Sequence, residues 1–202
     1  MPVPPADPAL PKQERGVRPA RALPYELHAD GQLEKDGKFS IDFHNSGDAT
    51  GVLQVWSSDP KHEPRSYTVQ PGKRLSDQWG TARAAVTMLR CTAERVLPAL
   101  RRKGPGLEIS ARYDASGLKL SLEVRNAGSA QVNVSVKDRY ASKGTSFKLR
   151  PGARHTLEHS LKRTHGWYDL TLTTAGGFEA RYAGHVENGK ESITDPGMGG
   201  LI

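Results

Sequence analysis

The sequence predicts an all-β chain built from two tandem small antiparallel β-sandwich domains. Three observations predict it. Apolar and polar residues alternate with a period of two in many short runs, the signature of half-buried strands. The 202 residues include 21 glycines and 14 prolines but only 6% aromatics, which favours short strands joined by many turns. One pattern is also stated twice: Asn45-Ser46-Gly47 is followed by Pro71-Gly72, and Asn126-Ala127-Gly128 by Pro151-Gly152, with Asn-to-Pro spacings of 26 and 25. A period of roughly 80 residues is too long for a solenoid unit and suits tandem domains.

Residues 1–22 come first and read as a proline-rich linker, with Pro2, Pro4, Pro5, Pro8, Pro11 and Pro19 among scattered charges. They carry no apolar core, so they do not read as a signal peptide. A linker in this place creates the expectation of a further domain upstream. No run approaches the roughly 18 apolar residues of a membrane span.

The first copy covers residues 23–106. Tyr25 to His28 reads as its first strand and Asp30-Gly31 as a turn. Phe39, Ile41 and Phe43 alternate with polar residues, and Asn45-Ser46-Gly47 supplies residues tolerant of positive φ. Val52 to Trp56 and Ser66 to Val69 are the next strands. Pro71-Gly72 suits positions i+1 and i+2 of a type II turn, and Lys73 to Trp79 follows.

The second copy, residues 107–188, repeats this more cleanly, ahead of a tail at 189–202. Leu107 to Tyr113 leads into an Asp114–Gly117 turn. Leu118, Leu120, Leu122 and Val124 alternate, as do Val132, Val134 and Val136. Phe147 and Leu149 precede Pro151-Gly152, and His155 to Leu161 follows. Trp167 to Thr173, the Ala175-Gly176-Gly177 turn and Phe178 to Val186 close the copy. About seven antiparallel strands in some 80 residues fit a sandwich.

The first copy has no counterpart to that last hairpin. Residues 81–103 hold no aromatic, glycine or aspartate, and in isolation they have the composition of an arginine-rich helix. They also locate the chain's basicity. The formal net charge is +7, of which +5 falls between Arg83 and Lys103. A basic patch confined to one segment argues against a nucleic-acid partner. The single cysteine, Cys91, excludes an internal disulfide and a cysteine-based zinc site.

Two series of residues are recognisable together. Leu23-Pro24-Tyr25-Glu26-Leu27-His28-Ala29-Asp30-Gly31, Phe43-His44-Asn45-Ser46-Gly47, Tyr67-Thr68-Val69, Pro71-Gly72-Lys73 and Leu75-Ser76-Asp77-Gln78-Trp79 form the first. Gly166-Trp167-Tyr168-Asp169, Gly177-Phe178 and Arg181-Tyr182-Ala183-Gly184 form the second. Over nearly the whole chain they resemble the tandem C-terminal domains of bacterial phosphatidylcholine-type phospholipases C, haemolytic and non-haemolytic.

In that family a hairpin of the form Gly-Gly-Tyr-Asp, Val-His-Gly, Pro-Asn-Gly-Phe follows the Trp79 position. Read across codon boundaries, Ala84 to Met88 can encode the first piece, Arg90 to Ala93 the second, and Ala93 to Lys103 the third. The resemblance therefore implies that 81–103 is an out-of-frame reading of the hairpin; a true helical insertion is the rival. If the stretch is out of frame, the first sandwich is expected to lack two strands and to expose an apolar edge.

The resemblance implies a parent that hydrolyses phosphatidylcholine or sphingomyelin, with its metal ligands and nucleophile upstream. No position here matches those motifs, and the acidic residues fall mostly in turns or on polar strand faces. The expectation is a non-catalytic pair without cofactor or metal. Its expected partners are the upstream phospholipase C catalytic domain and a phospholipid membrane surface. The parent is expected to be secreted or periplasmic; the chain as written, lacking a signal peptide, would be cytoplasmic.

Among candidate sites, His155 and His159 are four apart, which on a strand puts them about 13 Å from one another, too far to share an ion. His28 and His44 read as isolated strand residues. Trp56, Trp79, Trp167 and Tyr168 are the candidates for surface or headgroup contact, against the commoner role of tryptophan as core in a small sandwich. The other functional class is a free-standing carbohydrate- or cell-surface-binding module.

Overall fold

The computed structural model describes residues 14–34, 38–56, 63–80, 90–91, 95–96 and 106–200. Among them the regular structure is all strand. β1 (Pro19–Ala20) precedes the first copy, which contains β2 (Leu27–Leu33), β3 (Lys38–Asn45), β4 (Gly51–Trp56), β5 (Arg65–Val69), β6 (Arg74–Gly80), β7 (Arg90–Cys91) and β8 (Arg95–Val96). The second contains β9 (Leu107–Asp114), β10 (Lys119–Asn126), β11 (Val132–Asp138), β12 (Thr145–Leu149), β13 (Arg154–Ser160), β14 (Trp167–Thr174) and β15 (Glu179–His185). β16 (Ser192–Ile193) closes the chain.

Each copy has one three-stranded and one four-stranded antiparallel sheet. The orders are β2-β3-β6 and β5-β4-β7-β8 in the first, and β13-β10-β9 and β12-β11-β14-β15 in the second. Strand for strand these are the same topology. Alternation decides which side chains go inward: Leu53 and Val55 on β4, Leu120, Leu122 and Val124 on β10, and Val134 on β11 are wholly buried. In each copy both sheets feed a single cluster. The first gathers Leu27, Phe39, Ile41, Phe43, Leu53, Val55, Val69 and Trp79; the second is larger and centres on Leu120, Leu122, Val134, Leu170, Leu172 and Phe178.

The repeated Asn and Pro-Gly signals act as one device. Asn45 Nδ2 donates to Ala49 O at 2.7 Å and Val69 O at 2.9 Å, while its Oδ1 accepts Gly47 N at 3.0 Å. Asn126 does the same with Ala130 O, Leu149 O and Gly128 N at 2.8, 3.1 and 2.9 Å. Both side chains are fully buried. The tolerance of these asparagines for positive φ is not what is used: among the described residues the non-glycine ones with positive φ are Leu118 and His165. The amide is there to bracket three backbone groups, which no apolar side chain could satisfy in a buried place. Gly72 and Gly152 do take φ of 67° and 75°, as the type II turn requires.

Asp30-Gly31 is not a turn. β2 runs through it, with Gly31 paired to Ile41, and a Cβ at Gly31 would overlap the Phe39 ring. Glycine is needed there for close packing in a strand. The chain reverses further on, where Glu34 N donates to Lys38 O at 2.8 Å.

The four described residues of the 81–103 stretch are strand, not helix. β7 pairs with β4 through Val55↔Cys91 and Trp56↔Arg90, and with β8 through Arg90↔Val96 and Cys91↔Arg95. In the second copy Val136↔Leu172 is the matching pair, so Cys91 holds the register position of Leu172. The expected missing edge is thus corrected: short strands stand in the place of the hairpin. The rest of 81–103 lies outside the described residues.

The two copies meet through equivalent strands, β2 against β9 and β8 against β15. His28 of the first copy faces Tyr113 of the second, ring centroids 5.5 Å apart. Tyr182, buried at this seam, has its phenol pushed well above the usual tyrosine range by burial, then by Tyr113 and Asp30. A strap completes the join. β1 pairs with β16 as Pro19↔Ile193 and Ala20↔Ser192, and Gly16 N donates to Gly199 O at 2.9 Å. Residues 14–22 are therefore held rather than forming a free linker; residues 1–13 lie outside the described residues.

Candidate functional site

The four aromatic candidates occupy different surroundings. Trp56 projects from the outer face of β4 and is 44% exposed. Trp79 and Tyr168 are each 1% exposed and belong to the first and second cores. Trp167 donates its indole N–H to Ile193 O at 2.8 Å, so it anchors the strap. Burial closes Trp79 and Tyr168 to any headgroup, which leaves Trp56 as the open face of the set.

The outer face of β4 differs between copies. The first presents Val52, Gln54 and Trp56, with Val52 54% exposed; at matching register the second presents Asn133, Ser135 and Lys137. The same fold is thus built with a polar face in one copy and a partly apolar one in the other.

The four candidate histidines have partners that sequence spacing did not indicate. His28 and His44 are cross-strand partners whose rings stack at 5.6 Å, with Ser46 Oγ 2.7 Å and Glu26 3.8 Å from His28 Nε2. They are not isolated; the β2–β3 register, readable only once the turn is placed, brings them together. His155 stacks on Phe147 at 4.1 Å, and His159 bonds Asp138 at 2.8 Å. That bond, with the Tyr140 amide, holds the Asp138 carboxyl below its ordinary range although burial alone would raise it. Among the described residues no group of three His, Cys, Asp or Glu side chains could hold a metal ion.

Several charged groups among the described residues are engaged. Glu108–Arg125, Glu123–Arg154 and Lys119–Glu158 form a ladder across β9, β10 and β13 at 2.7–2.8 Å. Asp169, nearly buried, takes a bidentate bond from Arg181 at 2.8 and 2.7 Å, with Arg139 at 3.6 Å. Tyr140 Oη donates to Asp195 Oδ1 at 2.8 Å, tying the tail to the second copy. In the first copy Asp77 accepts from Arg65 at 2.7 Å and from Tyr67, and the Arg65 guanidinium lies over the Trp79 ring at 4.2 Å. Arg90 and Arg95 are placed in β7 and β8; Arg83, Arg101, Arg102 and Lys103 lie outside the described residues.

One cluster has the outline of a hydrolase triad. Ser192 Oγ is 3.0 Å from His185 Nε2, and His185 Nδ1 is 2.8 Å from Glu187 Oε1. A working base needs a free Nε2 lone pair facing the serine hydroxyl. Here both groups turn to one acceptor: His185 Nε2 and Ser192 Oγ each lie 2.8 Å from His165 O. A carbonyl oxygen only accepts, so Nε2 carries its proton toward it and the serine is not activated. The cluster is a structural knot between β15, the turn before β14, and the strap.

Comparison with known proteins repeats the doubling seen in the fold. A model of the bacterial phospholipase C C-terminal domain matches residues 19–90 and again 107–185. The chain belongs to this family. Its phospholipase C relatives match it nearly end to end. A non-hemolytic phospholipase C of Burkholderia pseudomallei is 36% identical over 209 residues, covering 97% of this chain and 30% of the relative. A non-hemolytic phospholipase C of Pseudomonas aeruginosa is 35% identical over 98% of the chain, and a hemolytic one from the same organism 29% over 93%. The chain spans about 30% of the length of these phospholipases C. The family match pauses at residues 91–106, which overlap the 81–103 stretch only in part.

Proposed function

We propose that the chain is the non-catalytic C-terminal domain pair of a phospholipase C, two β-sandwich domains at 23–106 and 107–188. It seats against a catalytic domain that precedes it. The observation that carries this reading is the strap. The chain leading into the first copy is pinned to the tail by β1–β16 pairing, by Arg18 N on Thr194 Oγ1 at 3.0 Å and by Gly16 N on Gly199 O. A clamped entry sets the direction from which a preceding domain arrives, where a free linker would not. In this reading the parent, secreted or periplasmic, cleaves phosphatidylcholine or sphingomyelin, and the pair orients it.

Membrane or partner contact is assigned to the β4 face with Val52 and Trp56, because the second copy shows that the fold does not need apolar residues there. A carbohydrate platform is less well supported, since two of its four aromatics are buried. Residues 81–103 remain, in this reading, an out-of-frame version of the family hairpin.

Two measurements test the proposal. Sequencing the gene through codons 81–103 and upstream of Met1 should show a phosphoesterase frame upstream and a shifted frame in the hairpin; a verified continuous frame through the hairpin sinks the second part. Purified chain with added divalent metal should show no turnover of a chromogenic phosphocholine diester, and metal-dependent turnover removes the non-catalytic assignment.

A further inference from the structure

The knot around His185 is built for a charged ring. Nε2 faces the His165 carbonyl at 2.8 Å and must carry a proton to bond it. Nδ1 faces Glu187 Oε1 at 2.8 Å, while Glu187 Oε2 accepts the Leu23 amide from the start of the first copy at 3.3 Å. A carboxylate that accepts on both oxygens is best satisfied as the anion, and a carboxylate accepts from Nδ1–H. The two side chains are only 7% and 13% exposed, so water relieves little of any mismatch. Gly166, at φ 95°, lets the turn approach: a Cβ there would stand 2.7 Å from Nε2.

The ring is packed from several elements. Glu187 lies just past its own strand. The turn before β14 offers the His165 carbonyl, β14 the Trp167 ring at 4.8 Å, β16 the Ser192 hydroxyl, and the N-terminal segment the Leu23 amide through Glu187. Every one of these contacts leads to the strap or to the joint between the copies.

We propose that His185 carries both ring protons and that its charge latches the strap, so that the segment entering the first copy is released as pH rises. Loss of the Nδ1 proton sets a lone pair against the Glu187 carboxylate in a nearly dry site. The sign follows: the folded form holds this proton more tightly than the unfolded chain. The stabilisation is full below the ordinary histidine range, near pH 6.5, and disappears as pH rises through the folded form's own midpoint. The strap is the bistable element, because β1 and β16 are each two residues long and have little of their own to keep them paired.

The test uses the full chain with histidine rings labelled by nitrogen-15, followed by NMR from about pH 6 to pH 9, a range that brackets ordinary histidine titration. Hydrogen exchange of residues 16–23 and 192–199, corrected for intrinsic rate, is measured alongside. Both His185 nitrogens should be protonated at neutral pH, and strap exchange should accelerate with the midpoint of ring deprotonation. In E187Q, which keeps an acceptor for Leu23 but loses the charge, the midpoint should fall by about one unit, roughly tenfold in proton affinity. S192A should leave it in place. A singly protonated ring at pH 6, strap exchange flat with pH, or an unmoved midpoint in E187Q overturns the proposal. The first two readings need only the wild-type chain, so they decide it even where E187Q does not fold.

Discussion

The backbone carbonyl of Asn126 accepts the amide of Gly152 at 2.8 Å, and Asn45 and Gly72 make the same bond at the same length. Asn126 N also donates to Ala153 O at 3.0 Å, as Asn45 N does to Lys73 O at 3.2 Å. The end of the long central strand is thus sewn to the Pro-Gly turn some 25 residues later. That is the physical content of the repeated spacing: it is the separation of two partners in one hydrogen-bonded corner.

Replacing Asn126 by alanine removes two donors and one acceptor from a site without solvent. The expected loss is about 2–4 kcal/mol, since each buried group left unpaired costs about 1–3 kcal/mol and the backbone relaxes in part. Asn126→Asp should cost at least as much, because a carboxylate donates to neither carbonyl. Urea unfolding measures both; a loss under about 0.5 kcal/mol in either is the contrary result.

Gly72 and Gly47 should fail for different reasons. At Gly72 a Cβ meets nothing within 4 Å, and the cost lies in φ of 67°. Gly72→Asn is then tolerated better than Gly72→Val, because asparagine enters that region and a β-branched residue does not. At Gly47 a Cβ would overlap the Tyr25–Glu26 backbone, so asparagine gives no rescue there. Thermal midpoints of these three variants distinguish strain from overlap.

The Asp77 group makes the first copy sensitive to acid. Burial would raise the Asp77 carboxyl, but bonds from Tyr67, Arg65 and the Gln78 amide outweigh it and hold the carboxyl below its ordinary range. A carboxyl lowered in the fold stabilises above its unfolded value and loses that contribution as pH falls through the folded one. D77N should therefore flatten the acid limb of the stability profile. Tyr67, pushed up to about 12 by burial and then by Asp77, should ionise late in a phenolate absorbance titration, and the late absorbance should shrink by one tyrosine in Y67F, with Tyr182 still contributing.

The tryptophans separate in the same way. W56A should change stability by less than about 0.5 kcal/mol, as for other exposed positions, whereas W79A should cost about 3–5 kcal/mol. In single-tryptophan variants acrylamide should quench Trp56 strongly and Trp79 weakly. Strong quenching of Trp79 would reopen the aromatic platform.

Much of the fold was legible because it rests on local signals. Alternation at Leu120, Leu122 and Val124 names a buried face, and Pro71-Gly72 names a turn with φ above zero. The Asp114–Gly117 turn is equally local: Asp114 Oδ1 accepts Gly117 N at 2.9 Å and Ser116 Oγ at 2.7 Å. Signals with two local meanings were misread. Asp30-Gly31 is turn composition, yet the glycine serves a ring across the strand. Asn45 is a residue tolerant of positive φ, yet it serves as a buried amide.

By itself the sequence determined the class, the doubling, the strands of the second copy and the family, because period-two patterning and paired turn motifs depend on neighbours within a few residues. The tertiary structure alone decided that Asn and Pro-Gly form one corner, that His28 stacks on His44, and that β8 and β15 face each other across the seam. It also decided that residues 19–20 pair with 192–193. Those contacts join groups 16 to more than 170 residues apart along the chain. Their pairing depends on register and packing, and no local propensity encodes a partner at that distance.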